Sequence, residues 1–140
     1  MILLDTSGLF EALGPDQPQG SACRAVLASE APPRIVSPFV LAELDHLLSR
    51  HARTDRAALA LLDEIARGTY LLAPFERDDV AAAAAVVREY ADNRIGLTDA
   101  SIVVLADRYR TNRVLTLDER HFRALRSAAG EAFTLLPADC

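Results

Sequence analysis

Apolar residues in this chain follow two rhythms. Short runs rich in apolar residues recur at 1–4, 34–36, 70–72, 113–117 and 132–136, each bounded by Gly, Pro, Asp or Asn. Runs this short, without strict alternation, predict strands of a parallel sheet covered on both faces. Between them the apolar positions repeat every three or four residues, which predicts helices. One follows Thr6-Ser7-Gly8, which offers a turn and an N-cap before Leu9, Phe10 and Leu13. Others are expected over Ser21–Ser29, from Ser37-Pro38 to about His51, from Thr54 or Asp55 to Arg67, and over Glu76–Tyr90. The last two run from a Thr98 cap to about Tyr109 and over Glu119–Ala128. Ser37-Pro38 is a strong start signal, a capping hydroxyl followed by proline at the first helical position. Strands alternating with helices predict an α/β fold, a parallel sheet of about five strands between two helical layers.

Composition narrows this picture. The chain has 140 residues, 51% hydrophobic and 25% charged, enough for one core and no composition break. A single domain over residues 1–140 is expected. Cys23 and Cys140 lack CxxC spacing, so no zinc or redox motif is expected. Two free thiols in a reducing compartment are the reading, with a Cys23–Cys140 disulfide as the alternative. No targeting segment precedes Met1-Ile2-Leu3-Leu4. The apolar run Val80–Val87 falls far short of the roughly 20 residues that span a bilayer. A soluble, cytoplasmic protein without a membrane partner is expected.

The net charge of −5 and pI of about 5.1 argue against a simple electrostatic nucleic-acid binder. All 15 basic residues are arginine and none is lysine. Arginine clamps phosphate well through its planar fork, although an arginine- and alanine-rich codon preference explains the same bias. The missing lysine excludes phosphoaspartate receivers and HAD-type phosphatases, which place Asp after a first strand but need a lysine elsewhere. It also excludes P-loop NTPases.

The acids carry the candidate chemistry. Ligands of an open parallel sheet bind beyond the carboxyl ends of its strands, where both Asp5 and Asp118 are expected. On the helix after Ser37, the residues Phe39, Val40, Leu44, Leu47 and Leu48 form an apolar arc. Glu43 is expected inside that arc, with Asp45 on the opposite, polar side. A carboxylate facing a packed surface must find a cation or donors, either a structural arginine or a functional site. Asp99 opens a helix whose buried face includes Ile102, Val103 and Ala106. It is read either as a first-turn acid favoured by the helix dipole or as a site residue sharing that face. Convergence of Asp5, Glu43, Asp99 and Asp118 on one pocket would require protons or metal ions to hold the charge. All-oxygen ligation selects Mg²⁺ or Mn²⁺, and such sites hydrolyse phosphodiesters.

Four segments carry a resemblance: Leu3-Leu4-Asp5-Thr6-Ser7, Ser37-Pro38 leading to Ala42-Glu43-Leu44, Leu97-Thr98-Asp99-Ala100-Ser101, and Thr116-Leu117-Asp118-Glu119-Arg120-His121-Phe122. In order and separation they resemble the motifs of PIN-domain nucleases, and more narrowly the VapC toxins of bacterial toxin–antitoxin modules. The resemblance implies a PIN-like α/β/α sandwich and a Mg²⁺- or Mn²⁺-dependent endoribonuclease. Asp5 and Asp99 would be the principal metal ligands, Glu43 would complete the pocket or position the attacking water, and Asp118 would serve a second, weaker metal site. Thr6, Ser7 and Thr116 would orient carboxylates or waters, against plain capping and turn roles for Thr6 and Ser7. Asp92 joins as a supporting candidate, against the reading of a surface-loop acid. Arg94, Arg120, His121 and Arg123 are candidates for gripping the RNA backbone, against ordinary solvated charges. His46, His51 and His121 lack metal-ligand spacing and are read as surface residues. The implied partners are RNA, such as tRNA or rRNA, a VapB-like antitoxin putting a basic side chain into the acidic pocket, and a second copy in a homodimer. The rival outside the enzymes is a catalytically silent PIN-like binding module, which predicts lost acids.

Overall fold

The computed structural model describes residues 1–50 and 55–140. Among the described residues, five parallel strands stand in the order β3-β2-β1-β4-β5. They are β1 (Ile2–Leu4), β2 (Arg34–Val36), β3 (Leu71–Leu72), β4 (Arg113–Leu115) and β5 (Thr134–Leu136). Seven helices connect and cover them: α1 (Thr6–Leu13), α2 (Gly20–Ser29), α3 (Pro38–Ser49), α4 (Asp55–Ala66), α5 (Arg77–Glu89), α6 (Leu97–Tyr109) and α7 (Glu119–Ala124). This is the α/β/α sandwich that the sequence pattern predicts. The Thr54 cap and His51 lie outside the described residues.

The central strand is the most apolar. Ile2, Leu3 and Leu4 are all buried, as are Ile35 and Val36 of β2, Val114 and Leu115 of β4, and Leu135 and Leu136 of β5. Burying each such side chain contributes about 1.5–3 kcal/mol, and a strand without polar positions gains this only between two covered faces. β1 pairs with β2 through Leu3↔Ile35 and with β4 through Leu3↔Val114. The chain thus leaves β1 towards one sheet edge and later returns to its other side with β4. The crevice beyond β1 and β4 is therefore the topological switch point, where ligands of open α/β sheets bind.

Several boundaries differ from expectation. α1 begins at Thr6 with Asp5 as its N-cap, so the strand-end acid and the cap are one residue. α6 begins at Leu97 with Gly96 as N-cap, and Thr98 is not its cap. α7 ends at Ala124 instead of Ala128, because Leu125 turns extended and buried and Arg126 forms an antiparallel bridge with Ala132. That pairing outweighs the helical periodicity of the segment. The β5 ladder is correspondingly confined to Thr134–Leu136. The Ser37 start of α3 stands as expected: its hydroxyl accepts from the Phe39 N–H at 3.2 Å, with proline in the first turn.

Both cysteines are free thiols, Cys23 buried and Cys140 exposed. Among the described residues no helix is long and apolar enough to cross a membrane.

Candidate functional site

Asp5 closes β1 and is only 5% exposed. Its Oδ2 accepts from Ser7 Oγ at 2.6 Å and from Thr116 Oγ1 at 2.7 Å. Ser7 Oγ lies 3.2 Å from Thr116 Oγ1 and accepts from the Leu117 N–H at 2.9 Å. The Asp118 N–H donates to Thr116 Oγ1 at 3.0 Å. Ser7 and Thr116 therefore stitch the end of β1 to the end of β4 through one carboxylate oxygen. Gly8 makes that stitch sterically allowed: a Cβ there would stand 2.7 Å from the Leu115 carbonyl oxygen, so only glycine lets α1 approach β4 so closely. Burial pushes the Asp5 carboxyl up from its ordinary range, against the hydroxyl and backbone donors that favour its anion.

Asp118 caps α7, its Oδ1 accepting from the His121 N–H at 3.1 Å. Its Oδ2 lies 3.1 Å from His121 Nδ1, and the same nitrogen lies 2.9 Å from Asp99 Oδ2 in the first turn of α6. Ionised carboxylates only accept, so Nδ1 carries the hydrogen in this arrangement. Asp99 is raised to about 6, chiefly by burial and then by the negative charge of Asp5. Asp118 adds to that rise, and His121 opposes it by charge and hydrogen bond. Asp5, Asp99 and Asp118 thus share one electrostatic neighbourhood. Beside them, Thr6 Oγ1 is buried with no hydrogen-bond partner among the described residues, a polar atom waiting for a donor or acceptor.

Glu43 departs from expectation. It is exposed, while Val40, Leu44 and Leu48 are the buried residues of α3 and Asp45 is half-buried. Residues 43 and 45 flank Leu44 by about 100° on either side, so neither points into the core and neither is its opposite. Glu43 is instead held by Thr98, whose hydroxyl donates to Oε2 at 3.1 Å. Thr98 thereby links α3 to the turn carrying Asp99. A buried Ser37–Ser101 hydroxyl contact of 2.7 Å ties the same two helices one turn deeper.

The remaining candidates divide. Asp92 is exposed in a 3₁₀ turn over Ala91–Asn93 and makes no hydrogen bond to the acids. Arg94 is exposed and closes that turn in the left-handed region, and Arg120 is exposed on α7. Arg123 is engaged within the chain: its guanidinium bonds both Asp139 oxygens, at 2.6 and 2.9 Å, and Glu119 at 3.0 Å. It staples α7 to the tail after β5. His121 overturns the expectation of a surface histidine. Its sequence signal is its place three residues after the capping Asp118, where backbone and ring both return to the cap.

Among the described residues, no three His, Cys, Asp or Glu side chains form a group that could hold a metal ion as they stand. The Oδ2 atoms are engaged by Ser7, Thr116 and His121, while Asp99 Oδ1 accepts no hydrogen bond among the described residues. Compared with known proteins, residues 2–127 match the model of the PIN domain. The chain belongs to the PIN-domain family. It is 46% identical over 139 residues to Ribonuclease VapC26 of Mycobacterium tuberculosis (strain ATCC 25618 / H37Rv), covering 97% of this chain and all of that one. Its fold is similar to that of M. tuberculosis VapC20, a sarcin–ricin-loop-cleaving toxin, with a TM-score of 0.77 at 19% identity over 84% of this chain and 90% of that one. It is similar also to a chain of a toxin–antitoxin complex from Klebsiella pneumoniae, with a TM-score of 0.67 at 20% identity over 89% and 92% of the two chains. This PIN-domain chain is thus of VapC type.

Proposed function

We propose that this PIN-domain chain is a divalent-metal-dependent endoribonuclease, the toxin of a VapBC-type toxin–antitoxin pair. The observation that carries the reading is the meeting of Asp5, Asp99 and Asp118 beyond β1 and β4, where burial first, and then the charges of Asp5 and Asp118, raise the Asp99 carboxyl to about 6. Such crowding is costly for an acid with only structural duties, and a cation relieves it. The donor set is oxygen throughout, the chemistry of Mg²⁺ or Mn²⁺. The unpartnered Thr6 hydroxyl beside Asp5 fits a site completed by a ligand.

In this reading Asp5 and Asp99 are the principal metal ligands, and Asp118 is the third acid of the pocket. Held by these acids, a divalent cation would supply charge stabilisation at the scissile phosphate and would favour ionisation of the attacking water. Ser7 and Thr116 hold Asp5 in one rotamer, so its free electron pairs point to a fixed place. Glu43, exposed and held by Thr98, orients a water at the solvent side of the pocket. The substrate is RNA of the tRNA or rRNA class, approached by Arg94 and Arg120. An antitoxin inhibits by laying a segment with a basic side chain across the acids, which the net charge of −5 favours. Residues 1–140 act as one domain, paired with a second copy in the complex. A silent binding module is the poorer reading, because it gives no reason to keep three acids together at an electrostatic cost.

The test is RNA cleavage by purified protein. Mg²⁺ or Mn²⁺ is expected to support cleavage leaving 5′-phosphate and 3′-hydroxyl ends. EDTA and Asp99→Asn are each expected to reduce it at least 100-fold, of the order seen when a transition-state charge partner is lost (~10²–10³). Activity that survives both contradicts the reading.

A further inference from the structure

We propose that His121 is a positioning residue that presets the separation and orientation of Asp99 and Asp118 for a divalent cation; this rests on the metal-dependent nuclease reading. One ring nitrogen reaches Oδ2 of both acids, at 2.9 and 3.1 Å, although the acids come from different helices. Two neighbouring carboxylates repel one another, and each has free rotation about its side-chain bonds. A donor placed between them offsets the repulsion and removes that freedom before any cation arrives.

The ring can do this because its own place is fixed. The His121 N–H donates to Asp118 Oδ1, so Asp118 is held at both oxygens by one residue. The next residue, Phe122, is fully buried and packs edge-on against Phe133 at a centroid distance of 6.0 Å. One position further, Arg123 is bound to Asp139 and Glu119. The core and the C-terminal tail thus decide where the imidazole stands. The ring takes only Oδ2 of Asp99, and Oδ1 accepts no hydrogen bond among the described residues. The clamp and a cation can therefore share that carboxylate. Groups that orient ligand side chains in this way typically change metal affinity by about 10–100-fold when removed.

The experiment is a Mn²⁺ titration of the purified, RNA-free protein, followed by calorimetry and by the paramagnetic resonance signal of free Mn²⁺. Wild type, His121→Ala and His121→Asn are compared, with thermal melting of each in EDTA. His121→Ala is expected to bind Mn²⁺ at least ~10-fold more weakly while melting within a few degrees of wild type. His121→Asn, whose amide offers an N–H at a similar reach, is expected to recover part of the loss. If the alanine variant does not fold, the asparagine variant decides: binding midway below wild type agrees with the clamp. Unchanged or tighter binding in the folded variants overturns it, tighter binding meaning that the ring occupies the place of the cation. Wild-type protein that binds no Mn²⁺ overturns the nuclease reading itself and the clamp with it.

Discussion

Asp5 and Asp99 bear opposite relations to their surroundings. Asp5 is nearly buried yet receives two hydroxyl donors on one oxygen. Asp99 is less buried than Asp5, yet burial, followed by the charges of Asp5 and Asp118, raises its carboxyl to about 6 from an ordinary 3.8. The native protein therefore holds the Asp99 proton more tightly than the unfolded chain does. Stability from this group is fully present below about pH 4 and is lost as pH rises through about 6. The shift corresponds to about 3 kcal/mol at neutral pH in the absence of a cation. Asp99→Asn is accordingly expected to raise the melting temperature of metal-free protein by several degrees at pH 8 and to change it little at pH 4. Thermal melts in EDTA at the two pH values check this. A variant less stable than wild type at pH 8 contradicts the electrostatic account. His121 shows what a residue's own neighbourhood in sequence does not contain. Asp118 is three residues away, but Asp99 comes from another helix, and only the fold brings both within reach of one ring nitrogen.

Elements whose signal is local were legible. β1 reads as a central strand because four consecutive apolar residues precede an acid, and Ser37-Pro38 starts α3 by hydroxyl and ring geometry alone. Elements decided by tertiary pairing were not. α7 stops at Ala124 because the Arg126↔Ala132 bridge claims the backbone that periodicity would make helical. Glu43 was misplaced by the angular width of the buried stripe: Val40, Leu44 and Leu48 lie so closely in line that a residue adjacent to Leu44 already faces solvent. The close contact of α1 with β4 adds a prediction at this scale. Gly8→Ala puts a methyl 2.7 Å from the Leu115 carbonyl oxygen, which is backbone and cannot swing aside. The substitution is expected to cost about 1–3 kcal/mol and to loosen the Ser7–Thr116 stitch around Asp5. Urea unfolding measures the cost, and an alanine variant as stable as wild type contradicts the packing argument.

Across the whole molecule, the arginines and acids have divided duties. Arg113 pairs with Glu30, Arg108 with Asp79 and Arg123 with Asp139, each joining separate segments of the chain, and Arg123 also pairs with Glu119 within α7. Much of the arginine that composition suggested for phosphate binding is thus used in holding the fold. Asp5, Asp99 and Asp118 meet at the switch point of the sheet, and the topology places them there because β1 and β4 end side by side. The absence of lysine argues against the rival chemistries that use a strand-end aspartate, and so supports the cation site proposed above. The most direct measurement is an anomalous difference map from crystals of wild-type protein soaked in Mn²⁺. The account expects a Mn²⁺ peak coordinated by Asp5 and Asp99 at about 2.0–2.3 Å, on the side that faces Asp118. Protein that takes up no Mn²⁺ there, or binds it only at another cluster of acids, contradicts the central claim.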